Sequence, residues 1–178
     1  MAKLLDELEP FDKQTNCVQA IIETPRGSRN KYSYDTRRGI FTLKKVLPAG
    51  HSFPFDFGFV PGTLGEDGDA LDILVLMEET VPQGVMVLTR LVAVIEAVQT
   101  ENGEAKRNDR LIGVSAASHD YKAVKSLDQL SPTLGEEIEH FFISYNEMLG
   151  RNFKPLKRVG AQRAREIIEG GVKLARSG

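Results

Sequence analysis

Three aspartates fall within six residues in Glu66-Asp67-Gly68-Asp69-Ala70-Leu71-Asp72. Carboxylates this close repel one another unless a positive charge is shared between them. A hard divalent cation supplies that charge, and carboxylate oxygens are its preferred ligands. Gly68 lets the backbone turn sharply between the first two acids. Taken alone, the run reads equally well as a solvated acidic turn. A calcium EF-hand loop does not fit, because its fifth and sixth positions, counted from Asp67, hold Leu71 and Asp72 where an oxygen ligand and glycine belong.

Cations placed on both sides of the acids narrow the chemistry. Upstream stands Glu23-Thr24-Pro25-Arg26-Gly27-Ser28-Arg29-Asn30-Lys31-Tyr32, and downstream stand Lys44, Lys45, Arg107, Arg110, Lys154 and Lys157. Arginine grips phosphate through paired hydrogen bonds, whereas lysine acts as a point charge. Any one of these side chains is by default a solvated surface charge. Together with the aspartates they suit a small polyanion held against a metal.

Elements that must carry these groups follow from patterning. Strands are predicted over residues 16–23, 31–34, 40–44, 71–77, 85–99 and 111–115, with the second and third joined as a hairpin around Asp35-Thr36-Arg37-Arg38-Gly39. The 71–77 run is nearly all apolar, which predicts a strand covered on both faces. Ser131-Pro132 is a helix start. Leu134, Ile138, Phe141, Phe142, Tyr145, Met148 and Leu149 then recur at helical spacing before Gly150. A second helix is predicted from about residue 160 to 176, with Gly170-Gly171 weakening its end. Strands followed by helices predict an α+β, β-rich chain, a small closed barrel with C-terminal helices outside it.

Bulk properties bound the rest. A chain of 178 residues is read as a single domain, 1–178. With 23 Lys+Arg against 25 Asp+Glu, the balance argues against a protein defined by nucleic-acid binding. The absence of tryptophan argues the same way against a single-strand binding module. Residues 85–98 form the longest apolar stretch, broken by Thr89, Arg90 and Glu96, so no membrane span is expected. The first residues carry early acids and no long apolar core, unlike a signal peptide, and Cys17 stands alone. A cytoplasmic location is expected.

At this point the motifs resemble the soluble family I inorganic pyrophosphatases. Ile22-Glu23-Thr24-Pro25 with Gly27-Ser28-Arg29-Asn30-Lys31-Tyr32, the aromatic segment Phe53-Pro54-Phe55-Asp56-Phe57-Gly58-Phe59-Val60, the aspartate signature, and His140-Phe141-Phe142 with Tyr145 occur in the family's order. The resemblance implies a five-stranded OB-type closed barrel with flanking C-terminal helices, a homo-oligomer (hexameric in the bacterial branch), and hydrolysis of pyrophosphate to two phosphates with Mg2+, Mn2+ being a possible substitute. By position it implies Asp67 and Asp72 as metal ligands, Asp69 as general base, Glu23 supporting the metal through water, and Lys31 and Tyr145 on phosphate.

The sequence also departs from that pattern. Ala70 replaces a proline, Ser33 a glutamate, Lys45 the phosphate-binding arginine, Phe53 and Phe57 two tyrosines, and Asn146 a lysine. The second acidic segment, residues 99–110, is longer than the family's. Aligned on the following strand, Arg110 replaces a phosphate-binding lysine and Asn108 falls on the third metal-binding aspartate, with Asp109 one residue off and favoured for the metal role. Glu101 or Glu104 stands for the more distal acid, unless both belong to a solvated hairpin tip. Alternatives are a metal-dependent phosphohydrolase for another phosphorylated substrate, to which Phe53 and Phe57 would suit an apolar group, and a non-catalytic OB-type binding homologue.

Overall fold

The computed structural model describes residues 5, 8–131 and 133–177. Five strands close a ring: β1 (Val18–Thr24), β4 (Asp56–Phe59), β5 (Asp72–Leu76), β8 (Arg110–Ser115) and β6 (Met86–Glu101), which returns to β1. Only the β5–β8 pairing in the ring is parallel. This is a β-rich α+β chain built on an OB-type barrel, as expected. Closure removes the free edges that an open sheet would present to solvent.

The apolar run in β5 is buried on both faces. Ile73 and Val75 pack into a cluster with Ile22, Val94, Leu111, Ala164 and Ile168. Leu74 and Leu76 enter another with Phe53, Phe57, Ile112, Ile138 and Phe142. The second cluster is roofed by α1 (Leu134–Glu147), the first by α2 (Ala161–Ser177). Both helices thus cover opposite faces of the strand whose first residue is Asp72.

The hairpin of β2 (Asn30–Asp35) and β3 (Ile40–Val46) stands outside the ring as its own sheet. The segment predicted as a hairpin tip becomes β7 (Glu104–Arg107), folded back on β6 through a two-residue Asn102-Gly103 turn. That dipeptide is the commonest hairpin signal.

Patterning missed two further strands. β4 is too short for alternation to show, and β9 (Asn152–Gly160) contains Pro155 among lysines and arginines. Proline is confined to edges and bulges of sheets, and β9 pairs only with β6, with a register shift beside Pro155. α1 begins at Leu134 after Thr133, and Ser131 supplies its hydroxyl to the Thr133 N–H. Pro132 lies outside the described residues.

α2 runs unbroken through Gly170-Gly171. Gly171 is where the helix meets the acidic loop. A Cβ there would lie 2.8 Å from Leu71 Cδ1 and 3.3 Å from the Leu64 carbonyl oxygen. The Gly171 carbonyl also accepts the Leu64 N–H at 3.1 Å. The glycine is therefore a close-packing requirement, not a helix end.

Candidate functional site

The acidic loop is a set of tight turns at the entry to β5. Gly65 N–H donates to the Asp69 carbonyl at 2.7 Å, and Gly68 N–H to the Gly65 carbonyl at 3.1 Å. Asp69 N–H donates back to Asp67 Oδ1 at 3.2 Å. Gly68 takes a φ of +93°, which a side chain would strain. Leu71, docked on Gly171, ties the loop to α2 and holds Asp72 at the rim of the core.

A cavity of about 1060 Å3 opens beside this loop and gathers Asp67, Asp69, Asp72, Glu23, Lys31, Arg110 and Tyr145. Glu23 reaches it through a β-bulge. Ile22 pairs with Gly58 and Thr24 with Phe57, leaving Glu23 without a partner on β4. Bulges re-aim side chains in this way next to functional sites. The Glu23 carboxylate accepts the Tyr34 N–H at 2.7 Å. Lys31 lies with its ammonium 4.5 Å from the Phe57 ring centroid, a cation–π contact that aims it inward.

Electrostatics mark the acids as under-neutralised. Burial pushes the Glu23 carboxyl up to about 7, against the pull of Lys31. Burial, then the charge of Asp72, raises Asp67 to about 6. Burial also raises Asp72, although Arg110 and Lys31 oppose it. Tyr145 is pushed up to about 12 by burial and then by Asp72, so its hydroxyl keeps its proton and can donate to an anion.

Among the described residues, no three His, Cys, Asp or Glu side chains converge tightly enough to hold an ion alone. The donor set fits a divalent cation that takes one or two carboxylates and completes its shell with water and phosphate oxygens. Asp67 and Asp72 are the pair whose mutual repulsion such an ion would relieve.

The other expected residues are placed differently. Lys45 is exposed and does not line the cavity, whereas Lys44 does. The reason is a bulge: Lys31 faces Lys45 but Tyr32 faces Leu43, so Lys44 is the extra residue. Asp109 also points away. Its carboxylate accepts the Ala97 N–H at 2.9 Å and pairs with Arg107 at 2.8 Å, and Asn108 takes the place on the cavity wall. Glu101 lines the cavity but pairs with Arg151 at 2.9 Å.

Several cations of the expected clamp are used elsewhere. Arg26 and Arg29 donate to the backbone carbonyls of Glu78 and Leu47. Arg107 and Lys157 serve Glu96. Sequence reasoning missed Arg37, Arg38 and Arg151, which line the cavity. The first two were visible as the basic tip of the predicted hairpin, whereas Arg151 gave no signal because β9 was not expected. Gln99 of β6 was also missed; its side-chain oxygen accepts from Asn108 Nδ2 in the turn between β7 and β8.

Comparison with known proteins agrees with this arrangement. The family described as inorganic pyrophosphatase matches residues 20–176. The chain is 36% identical to an inorganic pyrophosphatase of Thermus thermophilus over 165 residues, covering 93% of this chain and 92% of that protein. It is 34% identical to an inorganic pyrophosphatase of Geobacillus stearothermophilus, covering 88% and 92%. The crystal structure of the inorganic pyrophosphatase from Thermus thermophilus superposes with a TM-score of 0.88 at 32% identity, covering 98% of this chain and 99% of that one. That from Neisseria gonorrhoeae gives 0.87 at 28%, with the same coverage. With the family matched over nearly its whole length, and with the acidic loop, the bulged glutamate and the cavity in place, the chain belongs to the inorganic pyrophosphatase family.

Proposed function

We propose that this chain, acting as one domain, hydrolyses inorganic pyrophosphate to two phosphates with Mg2+, for which Mn2+ can substitute. The observation that carries the reading is the meeting of under-neutralised acids with inward-facing cations in one cavity. Asp67 and Asp72 would hold the metal, with Glu23 supporting it through water. A divalent ion held there would lower the pKa of a nearby water and neutralise charge on phosphate oxygens. Asp69 is exposed within the cavity, where it would accept the proton of an attacking water. Lys31, Arg110 and the protonated Tyr145 hydroxyl hold the phosphates, so charge on the leaving phosphate meets fixed donors. Lys44 and Arg151 take the outer phosphate role expected of Lys45, and Asp109 supports the fold of the wall.

The substrate is a small anion, not a nucleic acid. We place the protein in the cytoplasm as a homo-oligomer, six copies by family resemblance. The half-exposed Ile40, Leu43 and Val46 on β3 support a subunit contact. No described helix is long and apolar enough to cross a membrane.

Phosphate release from pyrophosphate with Mg2+ tests the reading. The native chain releases phosphate, and Asp69→Asn slows it by about 100-fold or more. Unchanged activity in that variant removes the base assignment, and an inactive native chain removes the function. A second reading, a larger phosphorylated substrate, is favoured by the cavity's volume, at the upper end for small-molecule sites. Preference for a nucleoside or sugar phosphate in the same assay would establish it.

A further inference from the structure

Four carboxylates crowd one side of the cavity. The acidic loop and the β1 bulge supply Asp67, Asp69, Asp72 and Glu23. The adjoining wall, from β6, β8 and the turn before β8, supplies Gln99, Glu101, Asn108 and Arg110. Asn108 Nδ2 donates to Gln99 Oε1 at 3.1 Å, and the two amides carry no charge. The acids nearest to them in sequence are paired with cations, Asp109 with Arg107 and Glu101 with Arg151.

Arg110 is fixed in this wall with unusual completeness for a cation. It is 4% exposed. Its guanidinium lies 4.7 Å from the Phe142 ring centroid and 5.2 Å from that of Phe153. Nη1 donates to Asn108 Oδ1 and to the Asp109 carbonyl, and stands 2.7 Å from Asp72 Oδ2. Nε is buried without a hydrogen-bond partner among the described residues. Two rings and the backbone therefore hold a permanent positive charge against the carboxylate that the metal also needs.

We infer that Arg110 is a resident cation of this site, filling a charge role that a further divalent ion would otherwise fill, and that the neutral Asn108 keeps that ion out. The inference rests on the reading of the cavity as a metal and phosphate site. A guanidinium and a dication compete for Asp72 Oδ2 and repel each other across it. The amide of Asn108 offers one weak oxygen, already given to Arg110. A carboxylate at position 108 would stand beside Asp67 and Asp72, with which Asn108 shares the lining of both this cavity and a smaller one behind the acidic loop. Among the described residues of the native chain no three acids converge on an ion, and a carboxylate in place of this amide would add an anionic ligand to the wall. The trade exchanges an ion that must be recruited from solution for one supplied by the chain, which is always charged.

Equilibrium binding of Mn2+ to the full chain, read by electron paramagnetic resonance of the free ion and without pyrophosphate, tests this. Asn108→Asp is expected to bind an additional Mn2+ per chain. Arg110→Gln is expected to bind Mn2+ about tenfold or more tightly, because a cation beside a carboxylate shifts its charge equilibrium by at least that factor. Arg110→Lys, which retains the charge, should stay near the native affinity. Native numbers and affinities in both Asn108→Asp and Arg110→Gln would overturn the inference. Should Arg110→Gln fail to fold, Asn108→Asp decides alone. Unchanged Mn2+ binding in variants of a chain that does cleave pyrophosphate refutes the resident cation and not the activity. Shifted binding in a chain that does not cleave it does the reverse.

Discussion

Two adjacent glycines in α2 should respond to alanine in opposite directions. At Gly170 a Cβ meets nothing within 4 Å. Alanine there gains helix propensity and limits the unfolded chain, together about 0.5–1 kcal/mol of stabilisation. For a chain of this size that raises the melting temperature by about 1–4 °C. At Gly171 the propensity gain is the same, but the new Cβ would sit 2.8 Å from Leu71 Cδ1 and 3.3 Å from the Leu64 carbonyl oxygen. The Leu71 methyl can move by rotamer change, whereas the Leu64 backbone is tied to this turn of helix by its own hydrogen bond. Overpacking of this kind costs about 1–3 kcal/mol. Gly171→Ala should therefore be net destabilising by about 0–2.5 kcal/mol, from the difference of those two ranges. Urea unfolding of both variants beside the native chain reads the sign, and Mn2+ affinity reads whether Leu71 and the acidic loop have moved. Equal stabilisation by the two alanines would refute the close seating of α2 on the loop. A stabilised Gly171→Ala with native metal binding would refute the link from helix to site.

Other outcomes follow from side chains outside the cavity. Glu96 is 3% exposed and meets Arg163 at 2.7 Å, Lys157 at 3.3 Å and Arg107 at 3.4 Å. Glu96→Gln should destabilise by about 1–2 kcal/mol, less than for a fully buried pair because its cations can rehydrate; an unchanged unfolding midpoint would show that the network adds nothing. Glu78 is held low, to about 2, by the N–H of Asp120 and then by Ser118 and His119. A carboxyl lowered on folding stabilises above its unfolded value, about 4.3, and loses that contribution as pH falls toward the folded value. Glu78→Gln should thus flatten the acid limb of the stability–pH curve between roughly pH 4 and 2, and an identical limb in both proteins would count against it.

Much of the barrel was legible because its strands are long or doubly apolar. The β5 run and the 85–99 stretch could be nothing else, and Asp72 at the start of β5 placed the acids at a core rim. β9 was hidden by Pro155 and its surrounding cations, whose meaning depends on Glu96 lying opposite in β6. The acidic loop, Lys31 and Tyr145 were recoverable from residue type and order. Lys44 was not, because a one-residue bulge changes which side chain enters the cavity and leaves no mark on composition. Asp109 and Asn108 differ in the same way: the backbone presents the amide to the cavity and gives the carboxylate to Ala97 and Arg107. The packing role of Gly171 was not legible, since a glycine that weakens a helix and one that lets a helix approach a loop look alike in sequence.

The parallel pairing of β5 with β8 has a kinetic consequence. Neighbouring strands of the ring otherwise run antiparallel, but these two are joined only after the chain has travelled through the whole of β6 and β7 and returned. Contacts so distant along the chain form late, after the loop-closure entropy has been met. Asp72 enters from β5 and Arg110 from β8. A partly folded chain therefore holds its aspartates and its guanidinium apart, and neither a cation nor a phosphate finds a complete partner until this seam of the barrel has zipped. Ligands of such a seam act as latches on the native state: they cannot accelerate its assembly by binding earlier forms, but once it has closed they slow its reopening.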